Sequence, residues 1–134
     1  MFKDQMTFLG RILLISFLGS TLTYGLTVYD FGASWCAPCK GDIARDNNLK
    51  NKFGDQVTFV FVDEDVDSSQ ASQFITITHP NFDVKMDPSH DFAKSMGAVN
   101  KTPAVVIVDD KGGIEIINGS LNEDALESKI RSHI

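Results

Sequence analysis

Four short apolar runs along the chain predict the strands of a β-sheet. Leu26–Phe31 is rich in β-forming residues, and Val57–Val62 is almost continuously apolar, which is typical of a parallel strand covered on both faces. Val105–Val108 and Ile114–Ile117 flank a polar segment with two glycines, and this arrangement predicts a β-hairpin. The pattern therefore predicts a mixed sheet, with parallel strands first and an antiparallel pair after them.

Segments of helical composition lie between and after these runs. Glycines follow the first and the third segment, as is common at helix C-termini, and Asp67 and Asn122 are suited to cap the second and the last. The predicted helices are Lys40–Lys52, Asp67–Ile75, Pro88–Met96 and Asn122–His133, and a short strand, Phe82–Met86, lies between the second and the third.

The first 25 residues have the layout of a secretory signal. Lys3 and Arg11 precede an uncharged run at 12–22, and Thr23 and Gly25 are small residues at a spacing suited to cleavage. Asp4 departs from this layout, and the alternative is an extra N-terminal element of the fold, either a hairpin or a helix on the sheet. We therefore divide the chain into residues 1–25, a signal or export segment or an extra element, and residues 26–134, one domain.

A membrane anchor would have to use the same segment. The uncharged run 12–29 has about the ~18 residues that a membrane span needs, but its last part is required as the first strand. We expect membrane attachment only if the segment stays in place as an uncleaved anchor.

Size and charge narrow the classes of partner. A chain of 134 residues is long enough for one domain with a real core. Its net charge is -6, its pI is near 4.8, and no cluster of lysine and arginine occurs, so a nucleic-acid partner is not expected. Two cysteines are too few for the disulfide framework of a small secreted scaffold.

Both cysteines lie in one hexapeptide, Trp35-Cys36-Ala37-Pro38-Cys39-Lys40, between the first predicted strand and the first helix. A cysteine at a helix start faces unpaired N–H groups and the positive end of the helix dipole, which stabilise a thiolate. Cys36 is therefore the expected low-pKa nucleophile. Cys39 follows almost one turn later and is the expected resolving thiol, and Pro38 stiffens the loop between them.

The cysteine pair has two other interpretations. Half of a zinc site would need two more ligands, and the histidines, His79, His90 and His133, are scattered without ligand spacing, so no metal is expected. An inert disulfide clip is disfavoured because so small a loop gains little stability from chain entropy.

The segment Val28–Lys40 resembles the active-site strand and loop of the thioredoxin superfamily, and the element order over 26–134 resembles its β-α-β-α-β-β-α core. The extra pieces near Phe74–Met86 look like the insert of the TlpA and ResA branch, whose members are commonly exported or membrane-tethered reductases. The resemblance implies an α/β thioredoxin fold, a central mixed β-sheet flanked by helices, with a small insert between the second strand and a cis-proline strand.

The same resemblance implies a thiol–disulfide oxidoreductase that reduces protein disulfides through the redox-active Cys36–Cys39 pair, with no other cofactor. Its partners would be protein dithiol or disulfide substrates and an upstream electron donor, and a monomer is expected. A periplasmic or extracytoplasmic location is favoured, and a cytoplasmic one stays open. The alternatives are an oxidase or isomerase, or a redox-sensing binding module in an envelope complex.

Thr102-Pro103 stands just before the Val105 strand, where the family places a cis-proline. A cis X-Pro bond is uncommon and usually a deliberate turn feature. The resemblance assigns substrate binding to the backbone of Thr102, with Trp35, Ala37 and Pro38 on the flanks of the same groove. The alternative for Pro103 is an ordinary proline at a strand entry.

Asp30 lies six positions before Cys36, inside an otherwise apolar strand. A carboxyl turned into the layer between sheet and helix would have a raised pKa suited to general acid–base work, and the resemblance implies proton transfer with Cys39. The alternative is an exposed aspartate at a strand edge. The family often keeps a lysine near this carboxylate and a proline in the active-site helix. Here the lysine position falls on an apolar residue of Val57–Val62, and the proline position falls on Ala44. We therefore expect a less stabilised Asp30 anion.

An acidic run, Asp63-Glu64-Asp65, follows the second strand. It lacks the glycine and distal glutamate of an EF-hand loop, and we expect a solvated loop rather than a cation site. His79 and His90 have no partner at catalytic spacing and are expected in loops or on a helix surface. The segment Gly41-Asp42-Ile43 differs from the acid and proline that many TlpA-like proteins carry there, so partner specificity is open.

Overall fold

The computed structural model describes residues 25–134, so the predicted signal segment or extra N-terminal element lies outside the described residues except for Gly25. The described part contains five strands, four α-helices and a short 3-10 turn, Gly54–Gln56. The strands are β1 (Leu26–Gly32), β2 (Val57–Asp63), β3 (Asp83–Met86), β4 (Ala104–Asp109) and β5 (Ile114–Asn118). The helices are α1 (Cys39–Phe53), α2 (Ser68–Thr78), α3 (Asp91–Ser95) and α4 (Glu123–Ser132).

The strands form one mixed sheet in the order β3-β2-β1-β4-β5. β1 pairs in parallel with β2, and β2 in parallel with β3, whereas β4 is antiparallel to both β1 and β5. The predicted order of parallel strands followed by a hairpin is confirmed. β1 is the central strand, with β2 on one side and β4 on the other. Its C-terminal end at Gly32 lies beside the C-terminal end of β2 and the first residue of β4.

Helices cover both faces of the sheet. On one face, Val28 of β1 packs in a core cluster with Leu49 of α1 and Leu126 of α4, and Phe74 of α2 packs in an adjoining cluster beside α1. On the other face, Phe31 packs with Ala93 of the short helix α3. This is the expected thioredoxin-type architecture, with the insert α2 and β3 between the second strand and the cis-proline strand.

Two predicted helix caps are confirmed. Asp67 accepts hydrogen bonds from the N–H groups of Ser69 (2.8 Å) and Gln70 (3.3 Å), and Asn122 accepts one from Ala125 (2.8 Å). Each cap satisfies a donor that the first helical turn leaves unpaired.

The third helix is shorter than predicted. It spans Asp91–Ser95 rather than Pro88–Met96, because the residues before it form a turn closed by the His90 N–H on the Asp87 carbonyl (3.0 Å). The buried Asp87 carboxylate then accepts from the N–H groups of Phe92 (3.0 Å) and Ala93 (2.9 Å) and so fixes the helix start.

Over residues 25–134, no helix combines the length and apolar character needed to cross a membrane.

Candidate active site

The two cysteines lie in the tight loop between the end of β1 and the start of α1. The Cys36 N–H donates to the Ala33 carbonyl (3.1 Å), and the Cys39 N–H donates to the Cys36 carbonyl (3.2 Å). The two sulfurs are joined in a disulfide, with their Cα atoms 5.4 Å apart. The helix begins at Cys39 itself, and Pro38 occupies the N-cap position without a side-chain cap. The positive end of the helix dipole therefore lies at the cysteine pair, where it would stabilise a thiolate in the reduced protein.

The two cysteines differ in accessibility. Both pack in one cluster with Ile43, Phe61 and Phe74, but Cys36 is 6% exposed whereas Cys39 is 0% exposed. Cys36 is therefore the more accessible of the two cysteines, and Cys39 has no surface through which a substrate could reach it.

The absence of a side chain at Gly32 allows the disulfide to lie close to the sheet. A Cβ atom at this position would lie 2.7 Å from the Cys39 Sγ and 2.8 Å from the Phe61 ring, closer than real Cβ atoms approach. A glycine at the end of β1 is therefore required by packing and not by backbone freedom.

The Thr102–Pro103 peptide bond is cis, as predicted. Pro103 leads into β4, where Ala104 pairs with Phe31 of β1, so the cis-proline lies at the same end of the sheet as the disulfide loop. The structure thus brings together two segments that are far apart in sequence. The substrate-binding role of Thr102 stays a prediction.

A cavity of about 220 Å³ opens beside the disulfide loop. It is lined by Trp35, His90, Asn100 and Thr102. Trp35 is 62% exposed, in agreement with its expected place on the flank of a groove, and Ala37 and Pro38 are exposed in the same loop. His90 was expected in a loop or on a helix surface. The turn before α3 carries it into this cavity, which sequence spacing alone does not reveal.

The expectation for the acidic run is wrong. Asp63, Glu64 and Asp65 are 0%, 1% and 3% exposed. The loop is buried because the pairing of β1 with β2 continues past the strands, with the Glu64 N–H donating to the Gly32 carbonyl (2.8 Å). The three residues lie in the protein interior next to the disulfide loop and do not form a solvated loop.

Two of these acids hold a neighbouring segment. Asp65 accepts from the N–H (2.9 Å) and the Oγ (2.7 Å) of Ser34, in the disulfide loop. Glu64 accepts a hydrogen bond from the Thr102 hydroxyl, next to the cis-proline, and its backbone carbonyl lies 3.0 Å from the His90 Nε2. Burial raises the pKa of Glu64 and raises that of Asp63 to about 7.

Asp30 lies between the sheet and α1, as predicted, and the exposed-edge alternative is excluded by its 1% exposure. The lysine position on the neighbouring strand is apolar, as expected, but α1 supplies another cation, because the Arg45 Nη2 lies 3.2 Å from the Asp30 Oδ2. The same guanidinium bonds Asp46 through Nε (2.9 Å) and Asp42 through Nη1 (3.3 Å). Nη1 also donates to the Leu121 carbonyl (2.8 Å).

Three acids therefore share one buried arginine. Burial is the main cause that raises the pKa of Asp30, and the charge of Asp46 adds to the effect, while Arg45 opposes it. Burial also raises the pKa of Asp42, against hydrogen bonding by Ser120 and the charge of Arg45. The carboxyl expected to exchange a proton with Cys39 thus belongs to a network that sequence reasoning missed.

A signal for this network was present in the helix pattern. Asp42, Arg45 and Asp46 fall at the three- and four-residue spacing of the core-facing stripe of α1, together with Leu49 and Phe53. Charged residues inside such a stripe have to find partners. The family's lysine lies on the neighbouring strand, whereas the cation here is supplied by the helix.

Among the described residues, no group of three or more histidine, cysteine or acidic side chains is arranged to hold a metal ion.

Comparison with known proteins agrees with this geometry. Residues 25–114 match the family model described as thioredoxin-like. Thioredoxin of Gallus gallus is 41% identical over 70 residues, which are 52% of this chain and 58% of the chicken protein. The match therefore spans less than two thirds of that relative's length.

Solved structures share the architecture over most of the chain. A protein described as a thiol:disulfide interchange protein DsbE from Chlorobium tepidum superposes with a TM-score of 0.75 at 27% identity, covering 85% of this chain and 83% of that one. A secreted disulfide oxidoreductase of Mycobacterium tuberculosis gives 0.72 at 20% identity, with 85% and 86% covered. StoA from Bacillus subtilis gives 0.67 at 21% identity, with 77% and 80% covered. At their lower identities, the last two show the shared fold alone.

Proposed function

The chain belongs to the thioredoxin-like family, and we propose that it is a thiol–disulfide oxidoreductase that reduces disulfide bonds in protein substrates. The observation that carries the proposal is the unequal accessibility of the two cysteines, with Cys36 6% exposed and Cys39 fully buried at the first residue of α1. One sulfur can meet a large substrate, and the other can act only within the protein.

The reaction takes place in two exchanges. In the reduced protein, the Cys36 thiolate attacks one sulfur of the substrate disulfide, and the other substrate sulfur leaves as a thiolate. The Cys39 thiolate then attacks the Cys36 sulfur and displaces the second substrate sulfur. The substrate gains two electrons and the Cys36–Cys39 disulfide forms. An upstream dithiol donor has to reduce that disulfide again.

Cys39 has to lose its proton for the second exchange. Asp30 lies on the same face of β1 as Gly32, which packs against the Cys39 sulfur, because alternate residues of a strand share a face. Burial raises the pKa of Asp30 well above the ordinary value of a carboxyl, so it is a stronger base than a solvated aspartate. We assign the removal of the Cys39 proton to Asp30.

The groove beside the disulfide would receive the substrate chain. Trp35 offers an exposed aromatic surface on one side, and Thr102 lies on the other. An extended substrate chain there would bond the backbone of Thr102 and lie across Ala37 and Pro38, with its own disulfide at Cys36.

Insulin reduction tests the enzyme activity. With dithiothreitol as donor, the wild type should accelerate precipitation of the insulin B chain, and Cys36→Ser should return the rate to that of the reagent alone. Equal rates for the two proteins would disprove the enzyme function and would leave a binding module as the alternative.

Equilibration with glutathione tests the direction of electron flow. A reductase should have a potential near that of thioredoxin, about −270 mV, while a value near about −120 mV is that of a strong oxidant and would contradict the proposal.

We propose an extracytoplasmic location on the basis of the signal-like layout of residues 1–25. Mass spectrometry of the protein expressed in its native host tests this directly. A mature N-terminus near Leu26 would support export, whereas an intact Met1 on protein recovered from the cytosol would contradict it.

A further inference from the structure

The network around Arg45 has more acids than it can neutralise. The side chains of Asp30, Asp42 and Asp46 are 2%, 7% and 0% exposed, and among the described residues Arg45 is the one cation bonded to them. Three carboxylates on one guanidinium would leave two uncompensated negative charges in the protein interior. A buried group in that position takes up a proton instead.

Two oxygens indicate where the proton lies. The Asp30 Oδ2 and the Asp46 Oδ1 accept from Arg45, but the Asp30 Oδ1 and the Asp46 Oδ2 are buried without a hydrogen-bond partner in the described part of the chain. Unsatisfied buried polar atoms are rare in native proteins. One proton between these two oxygens would satisfy both.

The arginine geometry brings the two carboxyls side by side. Asp46 is bonded to Nε and Asp30 to Nη2, and these two nitrogens point along the same edge of the planar guanidinium, where a single carboxylate would ordinarily bind in bidentate fashion. Asp42 is bonded to Nη1, on another edge, and receives a hydrogen bond from the Ser120 hydroxyl. Asp42 is therefore satisfied separately.

We propose that Asp30 and Asp46 share one proton as a carboxyl–carboxylate pair held by Arg45, and that this pair is the proton acceptor for Cys39. Asp46 is then a positioning residue, because it acts through Asp30. The existence of the pair is independent of the reaction, whereas its part in catalysis rests on the proposed function.

The pair is well placed for this part. Cys39, Asp42 and Asp46 follow one another along one face of α1 at spacings of three and four residues. Asp30 approaches the same layer from β1, with Phe61 and Val105 as its apolar neighbours on β2 and β4. The polar groups that face the pair are Arg45 and Asp42 from α1, and Ser120 behind Asp42.

The proton balance is simple. As Cys39 attacks Cys36, its S–H proton passes to the remaining carboxylate of the pair, which becomes doubly protonated. The electron pair of the broken bond leaves on the substrate thiolate. Because one proton is already shared, Asp30 and Asp46 together carry a single negative charge before the step. They are neutral after it, so the step leaves no additional negative charge in the buried network.

Infrared spectroscopy of the oxidised protein in heavy water tests the pair without any substrate. Beside the absorption of protonated Asp63, the wild type should show a second protonated-carboxyl band near neutral pH that is lost in both Asp30→Asn and Asp46→Asn. Asp63→Asn is the matched control, since Asp63 is another buried acid with a raised pKa, and it should leave that band in place. Loss of the band in only one of the two pair variants, or in neither, would overturn the proposal.

Carbon-13 NMR of aspartate carboxyls in the wild type covers the case in which a variant fails to fold. The Asp30 signal should titrate in two steps, as expected of a group coupled to a neighbouring carboxyl. A single titration step would refute sharing.

A separate measurement tests the role of the Asp30–Asp46 pair in catalysis. A mixed disulfide on Cys36 with thionitrobenzoate releases the coloured thiolate when Cys39 attacks, and the rate is followed against pH. Asp46→Asn should raise the apparent pKa of this step by about one unit, because the proton shared with Asp46 lowers the pKa at which the pair takes up its second proton. An unchanged pH profile would overturn the catalytic role. Failure of insulin reduction by the wild type would refute the proposed function and leave the spectroscopic result standing.

Discussion

The hydroxyl of Thr102, the residue before the cis-proline, donates a hydrogen bond to the buried carboxylate of Glu64. This bond connects Thr102, which lines the cavity beside the disulfide loop, to the loop that follows β2. The His90 Nε2 also lies within hydrogen-bond distance of the Glu64 backbone carbonyl. Glu64 therefore orients two of the four side chains that line the cavity beside Trp35.

Glu64→Ala should weaken substrate binding more than turnover. The substitution removes the acceptor of the Thr102 hydroxyl, which then loses its fixed orientation, and loss of a buried hydrogen-bond partner costs about 1–3 kcal/mol of stability. Steady-state insulin reduction should show a raised KM with kcat little changed. Glu64→Gln keeps an acceptor oxygen and should remain close to the wild type. A kcat loss in Glu64→Ala at unchanged KM would contradict this role.

Gly32→Ala should destabilise the protein, because the added Cβ would meet the Cys39 Sγ at 2.7 Å and the Phe61 ring at 2.8 Å. Overpacking of this kind costs about 1–3 kcal/mol. Gly41→Ala is the matched control. A Cβ there meets nothing within 4 Å, and alanine suits a helix interior better than glycine, so a gain of about 0.4–1 kcal/mol is expected. Urea unfolding of both variants decides the matter, and equal midpoints would contradict the packing argument.

Stability should fall as pH rises through the neutral range. Asp63 has a pKa of about 7 in the folded protein against 3.8 in its ordinary state, so between these values the folded state binds more protons than the unfolded one. The contribution is fully present below pH 3.8 and is lost as pH rises through about 7.

Asp63→Asn should flatten this loss and should be more stable than the wild type at alkaline pH. The asparagine oxygen can still accept from the Asp65 N–H, which bonds the Asp63 Oδ1 at 2.9 Å. Urea unfolding at a series of pH values measures the slope. A slope as steep in Asp63→Asn as in the wild type would assign the effect to the other buried acids.

Arg45→Met should be among the most damaging substitutions in α1. It leaves three buried acids without their cation, and breaking one partner of a buried ion pair costs about 3–5 kcal/mol. The loss should shrink at acid pH, where the acids become neutral. Lys52→Met, which breaks the exposed Lys52–Glu127 pair, is the control and should change the unfolding midpoint far less. Equal losses in the two variants would contradict the buried-network description.

Local patterns were enough to predict most of the fold. Apolar runs located β1, β2, β4 and β5, and the caps at Asp67 and Asn122 marked the starts of two helices, because each of these signals is a property of a few adjacent residues. The Cys36–Cys39 loop and the cis bond at Pro103 were also predicted, since a specific motif is tied to a known architecture.

The missed features depend on contacts between distant segments. The run Asp63-Glu64-Asp65 is hydrophilic and follows a strand, so its sequence indicates solvent exposure, yet its partners Ser34 and Thr102 come from other loops. Arg45 presents the same difficulty. Its position on the buried face of α1 was readable from helical spacing, but its bond to Asp30 depends on how the helix lies on the sheet.

The order of the two cysteines is tested most directly by trapping the covalent intermediate. Cys39→Ser cannot resolve a mixed disulfide, so incubation of the reduced variant with a protein disulfide substrate, followed by peptide mapping in a mass spectrometer, should locate a stable adduct on Cys36. The complementary variant, Cys36→Ser, should form almost none, because Cys39 is fully buried. An adduct on Cys39 in Cys36→Ser that forms as fast as the adduct on Cys36 would contradict the mechanism.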